Sequence, residues 1–123
     1  MTKFEKVSLA RYQKDRAEIL LREGMSLEEA YQVAEQEYEK IELPRRGTLY
    51  SAGYDIRTPA AYRVEPGQNL VIPTGLRIAM EEDMWLGIYI RSSLGFKYQV
   101  RLSNSVAVID ADYYGADNEG HLR

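Results

Sequence analysis

The chain has no cysteine and a single histidine, His121, among its 123 residues. Without cysteine there can be no disulfide, no thiolate nucleophile and no zinc site built on sulfur. One histidine is too few for a histidine metal cluster, and it makes a catalytic triad within the chain very hard to build. Several common classes of enzyme are therefore excluded before any motif is considered.

Long apolar runs and an excess of positive charge are also missing. No eighteen apolar residues run together, and the charged N-terminus has no apolar segment behind it, so we expect neither a membrane span nor a secretory signal. The formal net charge is −3, whereas binding to duplex nucleic acid favours a basic surface. We therefore expect a cytoplasmic protein whose partner is neither a nucleic-acid polymer nor a membrane. A small basic pocket for a phosphorylated ligand is still compatible with this composition.

Residues 1–40 have the pattern of a helical hairpin. Ser8 is placed to cap a first helix, and Ser26 followed by Glu29 matches a capping box for a second. Apolar residues of the second helix recur at steps of three and four: Leu27, Ala30, Tyr31, Ala34, Tyr38 and Ile41. We interpret the segment, with a short opening strand at Phe4–Val7, as an extension that packs on the rest of the chain. Binding to a partner is the rarer alternative for such an apolar face.

Residues 41–123 have the pattern of a β-domain, because glycine and proline separate short apolar runs. Leu76–Met80 alternates like a strand with one buried face. Both faces of Met84–Ile90 are apolar enough to be covered, by a second sheet or by another subunit. The predicted fold is mainly β: a β-sandwich or barrel of short strands, preceded by the helical hairpin.

Two polar clusters interrupt this packing pattern. Asp55 could hold a magnesium ion through water, although a solvated aspartate at a strand end explains the same residues. Arg91, Ser92 and Ser93 follow an apolar strand, and together they offer a guanidinium fork and two hydroxyls to phosphate oxygens. The alternative for this second cluster is a polar loop with a surface salt bridge. A nucleophilic serine has little support, since no histidine base is available.

A third polar cluster surrounds Asp110, at the end of the apolar run Val106–Ile109. A carboxylate in that position is a candidate general base for activating water. Asn104 offers both a donor and an acceptor, which reading an imide edge such as that of uracil requires. Tyr113 offers a flat ring for a sugar. A β-hairpin with an acidic turn is the plainer alternative.

The order of the clusters along the chain resembles the motifs of the trimeric dUTPase family. Ala52–Ile56 resembles the first motif of the family, Arg91–Gly95 the second and Val108–Gly115 the third, while Pro73–Leu76 resembles the strand that leads from the first to the second. Three matches in sequence are much more specific than any one of them. The resemblance covers about residues 41–123 and leaves the helical hairpin outside the common core.

This resemblance implies a dUTP diphosphatase: a homotrimer that hydrolyses dUTP to dUMP and pyrophosphate with Mg²⁺, at sites between subunits. By position, Asp110 corresponds to the residue that orients the attacking water, and Asp55 to the acid that holds a magnesium-bound water. The implied substrate-binding residues are Arg91, Ser92 and Ser93 for the phosphates, Asn104 for uracil, and Tyr113 for a deoxyribose ring that must lack a 2′-hydroxyl.

Two features depart from the pattern of the family. The family usually has glycine where this chain has Ala107, and alanine there is costly if the backbone needs a positive φ or approaches the base closely. The fourth motif and the glycine-rich C-terminal motif have no counterpart before Arg123. We therefore expect the β-domain to be C-terminally incomplete.

Two other functions stay open. A dCTP deaminase shares the fold and a similar Arg-Ser-Ser segment, but it would have a catalytic glutamate and a different signature around Asp110. A non-catalytic nucleotide-binding or regulatory protein would keep the trimer surface and use the helical hairpin for a partner. The missing C-terminal motifs favour this second alternative, whereas the presence of Asp110, Arg91 and Asn104 favours the enzyme.

Overall fold

The computed structural model describes the whole chain, residues 1–123. In chain order its elements are β1 (Lys3–Lys6), α1 (Leu9–Arg22), α2 (Leu27–Glu39), β2 (Leu76–Ala79), β3 (Trp85–Ile88), α3 (Ser92–Tyr98), β4 (Ala107–Asp110) and the 3₁₀ helix Ala111–Gly115. None of the helices combines the length and the apolar character that crossing a membrane requires.

The strands form two separate antiparallel pairs, β1 with β2 and β3 with β4. In β2, Leu76 and Ile78 are buried whereas Arg77 is only half-buried, which confirms the predicted strand with one buried face. In the second pair, the register places Trp85 opposite Asp110. The same register pairs Ala107, at the start of β4, with Ile88, at the end of β3.

The structure combines small antiparallel sheets with helices, and the predicted mainly β fold is not confirmed as a whole. Each strand is four residues long, whereas α1 alone has 14 residues. Between α2 and β2 the chain makes a single isolated bridge, Arg45 to Asp55. Proline and glycine are frequent there, and extended backbone becomes a strand only where a neighbour supplies regular hydrogen bonds. The sequence predicted that extended backbone follows the helical hairpin. It did not predict how little of that backbone forms paired strands within the chain.

Capping serines begin both long helices, as predicted. Ser8 Oγ accepts a hydrogen bond from the Arg11 amide at 3.1 Å. Ser26 Oγ accepts one from the Glu29 amide at 3.2 Å and donates one to the Glu29 carboxylate at 3.0 Å. Each serine satisfies an amide that has no partner within its helix, which stabilises the helix by about 1 kcal/mol.

One apolar core joins the helical hairpin to the first sheet and to the last residues of the chain. Its buried members are Val7, Tyr12, Ala34, Ile41, Leu76 and Leu122. The backbone of Leu122 also extends the β1–β2 sheet, since its amide donates to the Leu76 carbonyl at 2.9 Å and its carbonyl accepts from the Thr74 amide at 3.0 Å. The two ends of the chain therefore pack in the same core.

A buried ion pair joins α1 to α2. Arg16 Nε and Nη2 donate to the two carboxylate oxygens of Glu37 at 2.8 and 3.2 Å, and the Tyr12 hydroxyl donates to Glu37 Oε1 at 3.0 Å. The side chains of Arg16 and Glu37 are only 7% and 11% exposed. Burial opposes the charge on Arg16, but the hydrogen bonds and the negative charge of Glu37 outweigh it, so the pKa of Arg16 is raised.

Replacing Glu37 with alanine should lower the free energy of unfolding by about 3–5 kcal/mol, because Arg16 would be left buried without its counter-charge. Glu35→Ala, at an exposed position of the same helix, is the matched control and should change the free energy of unfolding by less than about 0.5 kcal/mol. Urea unfolding followed by circular dichroism measures both values. Equal unfolding midpoints for the two variants would show that the ion pair adds no stability.

Candidate active site

The residues predicted to hold phosphate lie just beyond the end of β3. Arg91 is the residue before α3, and Ser92 and Ser93 form the first turn of that helix. All three side chains are exposed, and the first amides of a helix have no partner within it. This turn therefore presents a guanidinium fork, two hydroxyls and free amides on one surface, all of which are donors that suit phosphate oxygens.

The structure brings Asp55 to Arg91, although the two residues are far apart in the sequence. Arg91 Nη1 lies 3.5 Å from Asp55 Oδ2, and the two side chains are 70% and 34% exposed. The Asp55 amide donates to the Arg45 carbonyl at 2.9 Å, which fixes the backbone at this position. A Cβ at Gly47 would lie 3.2 Å from Asp55 Oδ2, so the glycine leaves room for the carboxylate. The first and second predicted clusters thus form one surface.

Asp55 is also the residue that the sequence assigned to magnesium. The structure has no group of three or more histidine, cysteine, aspartate or glutamate side chains that could hold a metal ion by themselves. Mg²⁺ usually keeps several of its waters and is held by one or two carboxylates together with phosphates of the substrate. The single carboxylate beside Arg91 fits a hydrated ion that arrives with the phosphates, and it does not fit an ion held by protein alone.

Asp110 and Tyr113 line a cleft of about 170 Å³ at the C-terminal end of β4. Asp110 is the last residue of the strand and precedes the 3₁₀ helix, to which its side chain makes no capping hydrogen bond. The carboxylate is exposed and can therefore accept a hydrogen bond from a water in the cleft. Val108, Ile109 and the last residues of the chain complete the walls.

The ring of Tyr113 is held at its far end. Its hydroxyl donates to the carbonyl oxygen of His121 at 2.9 Å and accepts from Asn118 Nδ2 at 2.8 Å. The ring also packs against the main core beside Leu122. Tyr113 is therefore a fixed wall of the cleft that contains Asp110.

Asn104 lies in the turn before β4, away from Asp110. In this turn Ser105 has a φ of 67° and the Val106 amide donates to the Asn104 carbonyl at 2.8 Å. A strand rises about 3.3 Å per residue, so the two ends of β4 are about 10 Å apart. Ile88, the last residue of β3, pairs with Ala107, the first residue of β4. Arg91 follows β3 and Asn104 precedes β4, so both lie at the same end of this strand pair. One chain alone does not gather all the predicted residues around one cleft.

Ala107 stands in extended backbone. It opens β4 opposite Ile88 and is not among the residues with positive φ. The conformational cost that alanine would carry in the left-handed region is therefore not incurred here.

His121 is the residue whose importance the sequence did not reveal. Its side chain is fully buried. Nε2 accepts from the Gly75 amide at 2.9 Å, so the proton must be on Nδ1, which donates to Asp15 Oδ2 at 2.6 Å. Burial lowers the pKa of His121 in spite of the neighbouring carboxylate, and the neutral imidazole is the form that these two bonds require. The one feature of the sequence that could have indicated this buried contact is Asp15, which lies one turn after buried Tyr12 on the same face of α1.

The structure and the sequence are both similar to those of known dUTPases. The crystal structure of dUTPase from Streptococcus mutans matches with a TM-score of 0.61 and 39% sequence identity, and the match covers 68% of this chain and 66% of that one. A family model described as dUTPase matches residues 39–117, which is more than half of the chain and includes every predicted site residue. The chain belongs to the dUTPase family.

Curated relatives carry the name deoxyuridine 5′-triphosphate nucleotidohydrolase. The relative from Lactococcus lactis subsp. lactis is 47% identical over 83 residues, which is 67% of this chain and 55% of the relative. The relative from Hydrogenovibrio crunogenus is 37% identical over 95 residues, which is 74% of this chain and 62% of the relative. The chain thus spans between half and two thirds of the length of these relatives.

The stability of the protein should decrease as the pH falls below about 6.5, the ordinary pKa of histidine. Because the pKa of His121 is lowered in the folded state, the unfolded chain binds more protons in this range. The contribution of the neutral histidine is fully present above about pH 6.5 and is lost as the pH falls through the folded-state pKa. Glu5 and Glu119 have pKa values below their ordinary 4.5 and titrate beneath this window.

Urea unfolding at pH 7.5 and pH 5.5 measures this dependence. His121→Asn has no titrating ring, so its free energy of unfolding should change less between the two pH values than that of the wild type. Identical changes in both proteins would show that protonation of His121 is not linked to folding.

Proposed function

We propose that this chain acts as a dUTP diphosphatase, which hydrolyses dUTP to dUMP and pyrophosphate. The observation that carries the proposal is that the dUTPase family match, residues 39–117, includes both the Asp55–Arg91 surface and the cleft of Asp110 and Tyr113. The names of the curated relatives agree with this activity.

In this proposal, Arg91 and the hydroxyls of Ser92 and Ser93 bind the triphosphate. Transfer of a phosphoryl group needs positioned charge more than covalent help from the protein. Asp55 keeps the Arg91 guanidinium oriented before the substrate arrives, and it holds a water of the magnesium ion that accompanies the phosphates. When bound, Mg²⁺ stabilises the negative charge that develops on the leaving pyrophosphate.

Asp110 acts in this proposal as the base that orients the attacking water. Its exposed carboxylate has no competing cap bond, so it can accept a proton from that water. Tyr113 packs on the deoxyribose, and because its hydroxyl is held at both sides, the ring cannot turn aside to admit a 2′-hydroxyl. Asn104 pairs with uracil, and cytosine is rejected because its exocyclic amine would leave polar groups unpaired.

The proposal includes a homotrimer with sites between subunits. Asn104 and Arg91 lie at one end of β4 and Asp110 at the other, a separation that a site shared between subunits would bridge. Trp85 and Tyr89, which are 55% and 65% exposed, expose an aromatic surface of the kind that subunit interfaces cover.

We further propose that residues 41–123 form a dUTPase-like β-domain, in which the two small sheets are parts of a β-sandwich or jelly-roll-type barrel. Residues 1–40 are then an N-terminal extension of this domain. The similarity in fold to the Streptococcus mutans dUTPase supports the assignment. The cytoplasmic location expected from the sequence stays a prediction.

Asp110→Asn should lower kcat for dUTP hydrolysis by about 10²–10⁴-fold. The amide keeps the shape of the side chain but is no base, so the Kd of a non-hydrolysable dUTP analogue should stay close to that of the wild type. Release of pyrophosphate and isothermal titration calorimetry measure the two quantities. Asp83→Asn, at an exposed position before β3, is the control and should keep the turnover of the wild type.

Undiminished turnover in Asp110→Asn would contradict the role assigned to this residue. A wild-type chain that binds the analogue but releases no pyrophosphate would contradict the enzyme and favour the non-catalytic nucleotide-binding protein.

A further inference from the structure

The turn Asn118–His121 connects the ring of Tyr113 to helix α1. Asn118 and His121 supply the two hydrogen bonds to the Tyr113 hydroxyl. Gly120 packs against the backbone of the 3₁₀ helix, since a Cβ at Gly120 would lie 2.7 Å from the carbonyl oxygen of Tyr113. The turn therefore fixes both the backbone and the ring tip of this residue.

Helix α1 holds the same turn at two points. At its N-terminus, the amide and the hydroxyl of Ser8 donate to the carboxylate of Glu119 at 2.8 and 2.6 Å. About two turns further along the helix, Asp15 accepts from His121 Nδ1 at 2.6 Å. Glu119 has a φ of 62°, a left-handed conformation that costs a residue with a side chain about 1 kcal/mol or more. The bonds from Ser8 offset this cost, so the turn keeps its shape because α1 is present.

The contact between Asp15 and His121 is rigid, because both side chains are buried and every polar atom of the imidazole has a partner. Asp15 is 3% exposed, and Arg11 and Arg123 lie 3.3 and 3.9 Å from its carboxylate. These two arginines balance the charge of the carboxylate. Without Asp15, the Nδ1–H group of His121 would be left unpaired in the interior, and the imidazole would have to move or admit water.

We infer that α1 positions Tyr113, with Asp15 and His121 as positioning residues that act through the turn Asn118–His121. The consequence for function rests on the proposed dUTP diphosphatase activity: α1 then contributes to the discrimination against ribonucleotides, because it fixes the ring that meets the 2′ position of the sugar. Helix α1 (Leu9–Arg22) lies outside the residues that the family model matches. The positioning itself is a property of the folded chain and does not require catalysis.

The first test observes the ring of Tyr113 directly. The chain has ten tyrosines, and fluorine NMR of the 3-fluorotyrosine-labelled protein, with Tyr113→Phe to assign its signal, separates this ring from the others. Asp15→Ala should shift or broaden the Tyr113 resonance. Glu37→Ala breaks the ion pair between α1 and α2. It should change the resonance of Tyr12, whose hydroxyl donates to Glu37, and that of Tyr62, whose ring centroid lies 5.1 Å from the Arg16 guanidinium, and leave that of Tyr113 in place.

The second test measures selectivity. In Asp15→Ala, the ratio of kcat/KM for dUTP to kcat/KM for UTP should fall by roughly tenfold, since a misplacement of about 1 Å can cost up to 10²-fold. Asp15→Asn keeps an acceptor for His121 Nδ1 and should retain most of the ratio. Glu37→Ala should lower stability without changing the ratio, because loss of stability reduces the active fraction for both substrates equally.

Two less destabilising variants test the same inference if Asp15→Ala does not fold. Ser8→Ala and Ser26→Ala each remove one helix cap, but only Ser8 also contacts Glu119. Ser8→Ala should shift the Tyr113 resonance, and Ser26→Ala should not.

An unchanged Tyr113 resonance in folded Asp15→Ala, or in Ser8→Ala where Asp15→Ala does not fold, would overturn the inference. An unchanged selectivity ratio would overturn its functional part. If the wild-type chain hydrolyses no dUTP, the proposed function fails, and the Tyr113 resonance alone decides whether α1 positions the ring.

Discussion

The buried imidazole of His121 connects helix α1, the residue before β2 and the C-terminal residues through two hydrogen bonds. A neutral imidazole has one donor and one acceptor, and the fold supplies one partner for each: the carboxylate of Asp15 on α1 and the amide of Gly75 before β2. The φ of Gly75 is 76°, and a side chain there would overlap Ile41, so only glycine presents its amide at this place. Helix, sheet and chain end are thus fixed by one ring whose hydrogen bonds are complete.

The candidate active site has two parts, and the paired strands β3 and β4 separate them. Arg91 and Asp55 form an exposed ion pair at one end, while Asp110 and Tyr113 form a cleft at the other. The spacing is set by backbone hydrogen bonds and not by the side chains themselves. Substitutions within the strands that keep the register therefore leave the geometry of the site intact, whereas a slip of one residue would turn Asp110 to the opposite face.

Local features of the structure could be predicted from the sequence, and contacts between distant residues could not. The caps at Ser8 and Ser26 involve neighbours three residues away, so the local sequence is enough to predict them. The pairing of Arg91 with Asp55 and that of His121 with Asp15 depend on how the whole chain folds. The candidate site residues were predicted from the order of their motifs, which carries no information about which of them share a cleft. The scarcity of paired strands after α2 had the same cause, since a strand needs a partner that its own sequence does not specify.

The separation of Asp15 and His121 by 106 residues has a consequence during synthesis. Ribosomes add about 5–20 residues per second, so roughly 5–20 seconds pass between the appearance of the two side chains. The α1–α2 hairpin has its own small core of Ala17, Leu20 and Ala30 and can form early, but its bond to the turn Asn118–His121 must wait until His121 has been added. Until then the ring of Tyr113 has no anchor, and a nascent chain that has formed its helices does not yet have this wall of the Asp110 cleft.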